Sequence, residues 1–242
     1  MFLQPFFTQQ DQQVSISAEQ GSRFAKEVAE DFNPLHNIDS KRFVVPGDLL
    51  FSMVLERFGI GQKMAFQYQG MVGADTSIEF LQDAATFRVQ DEKGKTYLSG
   101  QTQGDSCQNP EVIEGFCHAY VAFSGLSFPH ILVPLMEQKD AMINPARPMV
   151  IYESMAFEFD QAVTQLAVVP ELALSEAQFD VDGKRGKVHI HFDIKAESAV
   201  IGRGHKSMTL SGLKPYDNQQ MADLVASYQE AKAHYLEQLQ SS

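Results

Sequence analysis

Leu49, Leu50, Phe51, Met53, Val54, Leu55 and Phe58 cover almost the whole circumference of a helix. A helix that is apolar on every side is buried, so this stretch predicts a helix at the centre of the molecule. Pro46 and Gly47 open it, and Gly59 and Gly61 close it. Upstream, Ser17-Ala18-Glu19-Gln20 has the form of a capping box, and Phe24, Ala25, Val28 and Ala29 recur at helical spacing behind it. That earlier helix should stop near Asp31, because Pro34 forces Asn33 out of the α region.

Downstream the pattern changes to strands. Met64–Val72, Thr76–Leu81, Thr86–Gln90 and Thr96–Gln101 are separated by turn signals such as Gly73-Ala74-Asp75 and Asp91-Glu92-Lys93-Gly94. Residues 106–125 read as a connection with a helix from Val112. The order then repeats. Phe128–Met136 predicts a second central helix, opened by Pro129 as Pro46 opens the first, and kinked by Pro134. Strands are predicted over Met149–Asp160, Leu172–Asp180, Lys187–Lys195 and Met208–Leu213, with Asp182-Gly183 as a hairpin turn. An amphipathic helix from Asp217 to Leu239 closes the chain, starting at Asp217 or Asn218. The repeated helix-then-strands order implies two units, residues 1–110 and 111–242, each an antiparallel sheet against an apolar helix.

Chemistry concentrates where the first helix gives way to the buried one. Asp31-Phe32-Asn33-Pro34-Leu35-His36 puts a carboxylate and an imidazole on one short loop. Asn33 and Pro34 make a turn that lets Asp31 and His36 face one pocket. The same residues also make an ordinary helix stop, with Asp31 and Asn33 bonding backbone. The start of the buried helix tips the balance: its first N–H groups lack internal partners and attract anionic oxygen, and Gly47 permits close approach by a ligand. An acid/base pair beside free N–H groups is what chemistry next to a carbonyl requires.

Asp31-x-Asn33-Pro34-x-His36, followed by a Gly at the head of a buried helix, resembles the MaoC-like, (R)-specific enoyl-CoA hydratases of the hot-dog superfamily. Thr76–Ala85 looks like that family's strand-turn segment, and the clear motif spans roughly residues 17–105. The whole chain also resembles an uncharacterised bacterial family of hot-dog proteins with an Asn-Pro-x-His and Val-Pro-Gly-Asp-Leu-Leu signature. The resemblance implies an α+β fold of the double hot-dog type and water activation on an α,β-unsaturated acyl-CoA. Asp31 and His36 would hold the water and shuttle its proton, Asn33 would shape the loop, and the Gly47 N–H would stabilise the enolate-like oxygen. Asp48 and Phe51 are the further pocket candidates. Three departures stand out. The His36-to-Gly47 spacing is short, Pro46 stands where the family usually has His, and Asp48 puts a negative charge beside the oxyanion position. Hot-dog carrier-protein dehydratases carry a catalytic Glu where this chain has Ser52, which argues against that chemistry. A non-catalytic acyl-ligand or regulatory module, and an acyl-CoA thioesterase using Asp31, Asp48 or Glu56, are the alternatives.

Composition narrows the partners. The 242 residues are 44% hydrophobic and carry 19 basic against 31 acidic side chains, a formal net charge of −12. No basic block appears, so nucleic-acid binding is not expected. Only local pairs such as Lys41-Arg42, Lys184-Arg185 or Arg203 with Lys206 offer cations to a coenzyme A phosphate, and each reads as a solvated turn or strand edge. No cofactor is expected beyond coenzyme A as part of the substrate. His189 and His191 share one strand face with no third ligand, and His118 and His130 are lone, so no metal site is predicted. Cys107 and Cys117 give no disulfide framework and suggest a reducing compartment. No charged leader and no spanning apolar run is present, so the expected setting is cytoplasmic. Edge strands should pair within the chain or across a homodimer.

Overall fold

The computed structural model describes residues 2–166 and 169–240. Strands β1 (Thr8–Gln10) and β2 (Gln13–Ser15) form a short hairpin ahead of helix α1 (Ala18–Arg23). Ser17 caps α1 with the full capping box, and the helix widens into a π turn over Phe24–Val28. Helix α2 (Gly47–Phe58) follows, then β3 (Ile60–Tyr68), β4 (Ile78–Asp83), β5 (Thr86–Asp91) and β6 (Thr96–Cys107). The chain continues through α3 (Pro110–Gly125), α4 (Leu132–Gln138), β7 (Ala141–Met142) and β8 (Val150–Phe159). It ends with β9 (Glu171–Asp182), β10 (Arg185–Ala196), β11 (Ala199–Ser211), β12 (Lys214–Pro215) and α5 (Asn218–Gln240).

Ten strands form one antiparallel sheet in the order β1-β2-β4-β5-β6-β3-β8-β11-β10-β9. The join between its halves is the β3–β8 pairing, with Met64 opposite Phe157. Strand alternation defines the inner face: Val188, Ile190, Phe192 and Ile194 of β10 are buried, while Lys187 and His191 are exposed. Helices α2 and α3 pack on this face. Phe51 of α2 meets Phe66 of β3 at 5.1 Å between ring centroids, and Phe116 of α3 meets Phe157 of β8 at 5.1 Å. The two helices touch through Phe51 and Tyr120 at 4.4 Å.

The first buried helix lies where the periodicity places it, and so do β4 and β5 to within two residues, but β3 begins and ends before the expected Met64–Val72 and β6 runs past Gln101 to Cys107. The second buried helix does not lie where the periodicity places it. It is α3, from Pro110, and not Phe128–Met136. Val112, Ile113, Phe116, Cys117, Tyr120 and Val121 are buried at helical spacing, but Gly115, Ala119 and Ala122 dilute the apolar signal. Asn109 caps α3, its side chain accepting from the Glu111 N–H at 3.0 Å. The chain bends by 51° after α3, near Leu126–Phe128. Pro134, expected to kink a helix, stands in the first turn of α4, where no intrahelical N–H is needed. Strand β11 begins well before the expected Met208. Its Gly202-Arg203-Gly204 start reads as a turn, but a Cβ at Gly204 would lie 2.2 Å from the Phe192 ring, so the cross-strand Phe requires glycine there. The closing helix begins at Asn218, with Asp217 Oδ1 accepting from the Gln220 N–H at 2.8 Å.

Candidate active site

The loop between the π turn and α2 is tied down by its own side chains. The Asp31 N–H donates to the Ala25 carbonyl at 2.8 Å. Asp31 Oδ1 accepts from the Asn33 N–H at 2.9 Å, and Asn33 Oδ1 accepts from the Leu35 N–H at 3.1 Å, capping one 3-10 turn over Pro34–His36. The turn-forming role is therefore filled by one Asp31 oxygen, and the other is left for the pocket. Asp31 Oδ2 lies 3.7 Å from His36 Nε2. That separation exceeds a direct hydrogen bond and leaves room for both groups to hold one water. His36 Nδ1 lies 2.7 Å from the Val44 carbonyl oxygen. A carbonyl only accepts, so Nδ1 carries the proton and a neutral ring presents Nε2 as a base.

Asp31, Asn33, His36, Gly47 and Asp48 line one cavity of about 610 Å³. The rest of its wall is largely apolar, including Leu50, Val72, Phe128, Leu132 and Met208. Helix α2 points its start into it. Pro46 is the N-cap and makes no side-chain cap bond, and the Gly47 and Asp48 N–H groups donate to nothing among the described residues. A Cβ at Gly47 would meet the Tyr152 ring at 2.9 Å and the Tyr68 ring at 3.1 Å, so glycine is needed here for the two tyrosines to close on the helix start. Phe51, expected at the pocket, is instead in the core against Phe66 and Tyr120 and does not line the cavity. The Ser52 hydroxyl donates to the Asp48 carbonyl within α2, at 2.8 Å, and is also buried.

The fold surrounds Asp48 with polar residues from distant segments: Ser124, Ser127 and Tyr152 line the cavity with it, and Lys206 lies behind them. Asp48 is only 4% exposed, with Oδ2 accepting from the Tyr152 hydroxyl at 3.2 Å and Oδ1 without a hydrogen-bond partner among the described residues. Burial pushes its carboxyl up to about 6, against the pull of Lys206. Lys206 is 2% exposed, not at a solvated edge as expected, and donates to Ser124 Oγ at 3.0 Å and Ser127 Oγ at 2.9 Å. Burial pulls its ammonium down to about 8, opposed by Asp48 and Asp31. The alternation Gly204, Lys206, Met208, Leu210 marks Lys206 as inward-facing once β11 is known to run through it.

Helix α5 forms a further wall, with Leu224, Ser227, Tyr228, Ala231 and Tyr235 along the cavity. The Tyr228 hydroxyl donates to the Glu30 carbonyl at 3.1 Å and accepts from the Phe32 N–H at 3.2 Å, pinning the chain on both sides of Asp31. Phe32 packs edge-on against Tyr228 and Tyr235, each at 5.9 Å.

His234 of α5 lines the same cavity, and the remaining histidines lie elsewhere. His118 is exposed and stacked on Phe2, His130 is exposed, and His189 and His191 lie on the outer sheet face with His205. Among the described residues no group of His, Cys, Asp and Glu could hold a metal ion. Cys107 and Cys117 are free and buried, the Cys117 thiol pushed up to about 12 by burial. Among the described residues no single helix is long and apolar enough to cross a membrane.

With fold and site in view, the fold is similar to that of hot-dog proteins. It is similar to a conserved protein of unknown function with hot dog fold from Alicyclobacillus acidocaldarius, with TM-score 0.50 and 9% identity over 89% of this chain and 99% of that one. It is also similar to a MaoC-like dehydratase (TM-score 0.42, 12% identity, 86% and 98% covered) and to an acyl-CoA thioesterase II from Mycobacterium marinum (0.40, 12%, 90% and 99%). The first likeness supports the fold and not an activity. No curated protein matches the chain. The chain belongs to the family described as "Protein of unknown function (DUF3581)", whose model matches residues 1–219 and so ends where α5 begins.

Proposed function

We propose that the protein is an acyl-thioester hydratase or dehydratase in which Asp31 and His36 activate one water. The observation that carries this reading is the 3.7 Å approach of Asp31 Oδ2 to His36 Nε2 on the wall of a largely apolar cavity that also receives the open N-terminus of α2. In the hydration direction Asp31 accepts one hydrogen of the water and His36 Nε2 takes the proton of the other. The oxygen adds to the β-carbon of the enoyl group. Charge moves to the thioester oxygen beside the Gly47 N–H, and His36 returns its proton to the α-carbon. One water is consumed and no proton is left over. The apolar wall suits an acyl chain.

The thioester's carrier is read as coenzyme A. A cleft beside the cavity shares Pro34, Leu35 and Pro148 with it and is lined by Lys41, Arg42 and Arg147. None of the three forms an ion pair among the described residues, so in a chain of charge −12 they are free to meet phosphate. The chain is further read as a double hot-dog that divides at 110/111. A buried helix faces each half of the sheet, and α3 starts at that boundary. The free thiols fit a cytoplasmic setting.

The test is loss of the conjugated absorbance of crotonyl-CoA or longer trans-2-enoyl-CoA substrates. Asp31→Asn and His36→Ala should each slow turnover about a hundredfold to ten-thousandfold, and the losses should not add, because both residues handle one water. A thioesterase reading rests on Asp48 as a second carboxylate on the cavity wall and is separated by release of free thiol. If wild type hydrates no acyl length, yet binds acyl-CoA equally well with and without His36, the fold is a binding module.

A further inference from the structure

Asp31 owes its aim to the residue before it, and that residue holds a conformation that few side chains adopt. Glu30 has φ +49°, in the left-handed region. It closes the π turn: the Ala29 N–H donates to the Phe24 carbonyl at 3.1 Å, and the Asp31 N–H reaches back to the Ala25 carbonyl at 2.8 Å. Helices commonly end on a left-handed residue in this way, but that residue is usually glycine. A residue with a Cβ is disfavoured there by about five- to thirtyfold. Glutamate therefore needs contacts that offset the strain.

Those contacts come from α5. The Tyr228 hydroxyl donates to the Glu30 carbonyl at 3.1 Å and accepts from the Phe32 N–H at 3.2 Å. Lys232, on the next turn of the helix, pairs with the Glu30 carboxylate. One helix thus grips Glu30 by its backbone and by its side chain. Tyr235 adds a bond to the π turn itself, donating to Glu27 Oε1 at 3.0 Å, with the Lys26 ammonium 5.3 Å above its ring. Tyr228, Lys232 and Tyr235 recur at helical spacing, so a single stripe of α5 makes the whole grip. Every partner of that stripe lies between Lys26 and Phe32, the segment that delivers Asp31 to the cavity.

The rest of the helix is a rim. Ser227, Ala231 and His234 line the cavity and are exposed, as are Ile38 and Met71 on other parts of its wall. A ligand that fills the cavity meets both α5 and the Asp31 loop.

We propose that α5 regulates this site as a clamp: Tyr228 and Lys232 are positioning residues that hold Glu30 in its left-handed turn, and only in that turn does Asp31 face His36. For its ligand the proposal rests on the acyl-thioester reading of the cavity. When α5 lets go, Glu30 relaxes from φ +49° to an ordinary negative value, a rotation of at least about 110°. Everything after Glu30 swings with it. The Asp31 N–H leaves the Ala25 carbonyl, and Asp31 Oδ2 leaves its place 3.7 Å from His36 Nε2. A ligand held between α5 and the loop binds the clamped state better, and so draws the acid/base pair together as it binds.

The test has two arms, both read by amide hydrogen exchange. The first uses ligand-free protein and watches Asn33, whose N–H donates to Asp31 Oδ1 and not to α5. Tyr228→Phe keeps the ring contacts with Phe32 and Phe128 and should speed Asn33 exchange about tenfold. Lys232→Met breaks only a partly exposed ion pair and should speed it less. Glu30→Gly added to Tyr228→Phe should return most of the protection, because glycine takes a positive φ without strain and needs no clamp. If only Phe32 speeds up, Tyr228 is a local cap and the proposal is overturned. It is overturned equally if Asn33 speeds up and glycine does not restore it. The second arm adds an alkyl thioether of coenzyme A, which lacks the reactive carbonyl, to wild type. Exchange at Asn33 and over 228–235 should slow, by up to about a hundredfold with ligand at a hundred times its Kd. Binding without slowing refutes the regulation and leaves the acyl-thioester reading standing. No binding at all refutes that reading, while the first arm still decides whether α5 holds Asp31 in place.

Discussion

The buried Asp48–Lys206 pair should make this protein less stable near neutral pH than a version without it. The perturbation is the double substitution Asp48→Asn with Lys206→Met, which removes both charges together and leaves neither uncompensated. Asp48 titrates at about 6 in the fold against 3.8 as the ordinary value. The folded chain therefore holds this proton more tightly than the unfolded chain. The stabilisation is fully present below about pH 4 and is lost as pH rises through 6. Two pH units at about 1.4 kcal/mol each give about 3 kcal/mol in all, of which about 2 kcal/mol falls between pH 4 and pH 7. Lys206 runs the other way. Its folded value of about 8 lies below the ordinary 10.5, so its loss is complete once pH has fallen below 8 and stays constant from 7 to 4. The double variant should thus gain about 2 kcal/mol relative to wild type on going from pH 4 to pH 7. Urea titrations of both proteins at several pH values in that window measure it, provided the slopes match. A difference that is flat with pH means that Asp48 titrates as an ordinary carboxylate, and refutes the reasoning.

Three further outcomes follow from the packing around the cavity. Tyr228→Phe removes the hydroxyl that grips the backbone on both sides of Asp31. It should cost about 1–2 kcal/mol and speed amide exchange at Phe32, whereas unchanged exchange would mean that α5 does not hold the loop. Gly47→Ala places a methyl 2.9 Å from the Tyr152 ring and 3.1 Å from the Tyr68 ring. It should cost about 1–3 kcal/mol and displace Tyr152 from Asp48, seen as a changed Asp48 titration; an unaltered melting temperature would argue against that contact. Gly125→Ala drives a Cβ to 1.7 Å from the Ala29 carbonyl oxygen. Backbone cannot yield as a side chain does, so it should lower the melting temperature by at least several degrees, and a neutral effect would show that α3 does not end against the π turn.

What the chain alone determined is local. Seven apolar residues around one helix specify a buried α2, because no orientation of such a helix leaves a polar face to water. Ser17 with Gln20, and Asn33 with Pro34, determine where α1 starts and how the Asp31–His36 loop turns, because each bond there spans three residues or fewer. Asp31, Asn33, His36, Gly47 and Asp48 line one cavity, and Phe51 does not. Tertiary structure decided the rest. Helix α3 is buried although its glycines and alanines weaken its apolar signal, because small residues let it lie close: Gly125 meets the Ala29 backbone. Strand β11 runs through Gly-Arg-Gly because Phe192 on the next strand needs the space. Tyr228 reaches the loop from 196 positions away, and Tyr152 reaches Asp48 from 104. Lys206 looks like a surface cation until its strand is paired, and the pairing turns it inward among Ser124, Ser127 and Tyr152. Contacts of that separation carry no periodic trace, because the sheet and helices that make them are assembled from segments whose own patterns are satisfied independently.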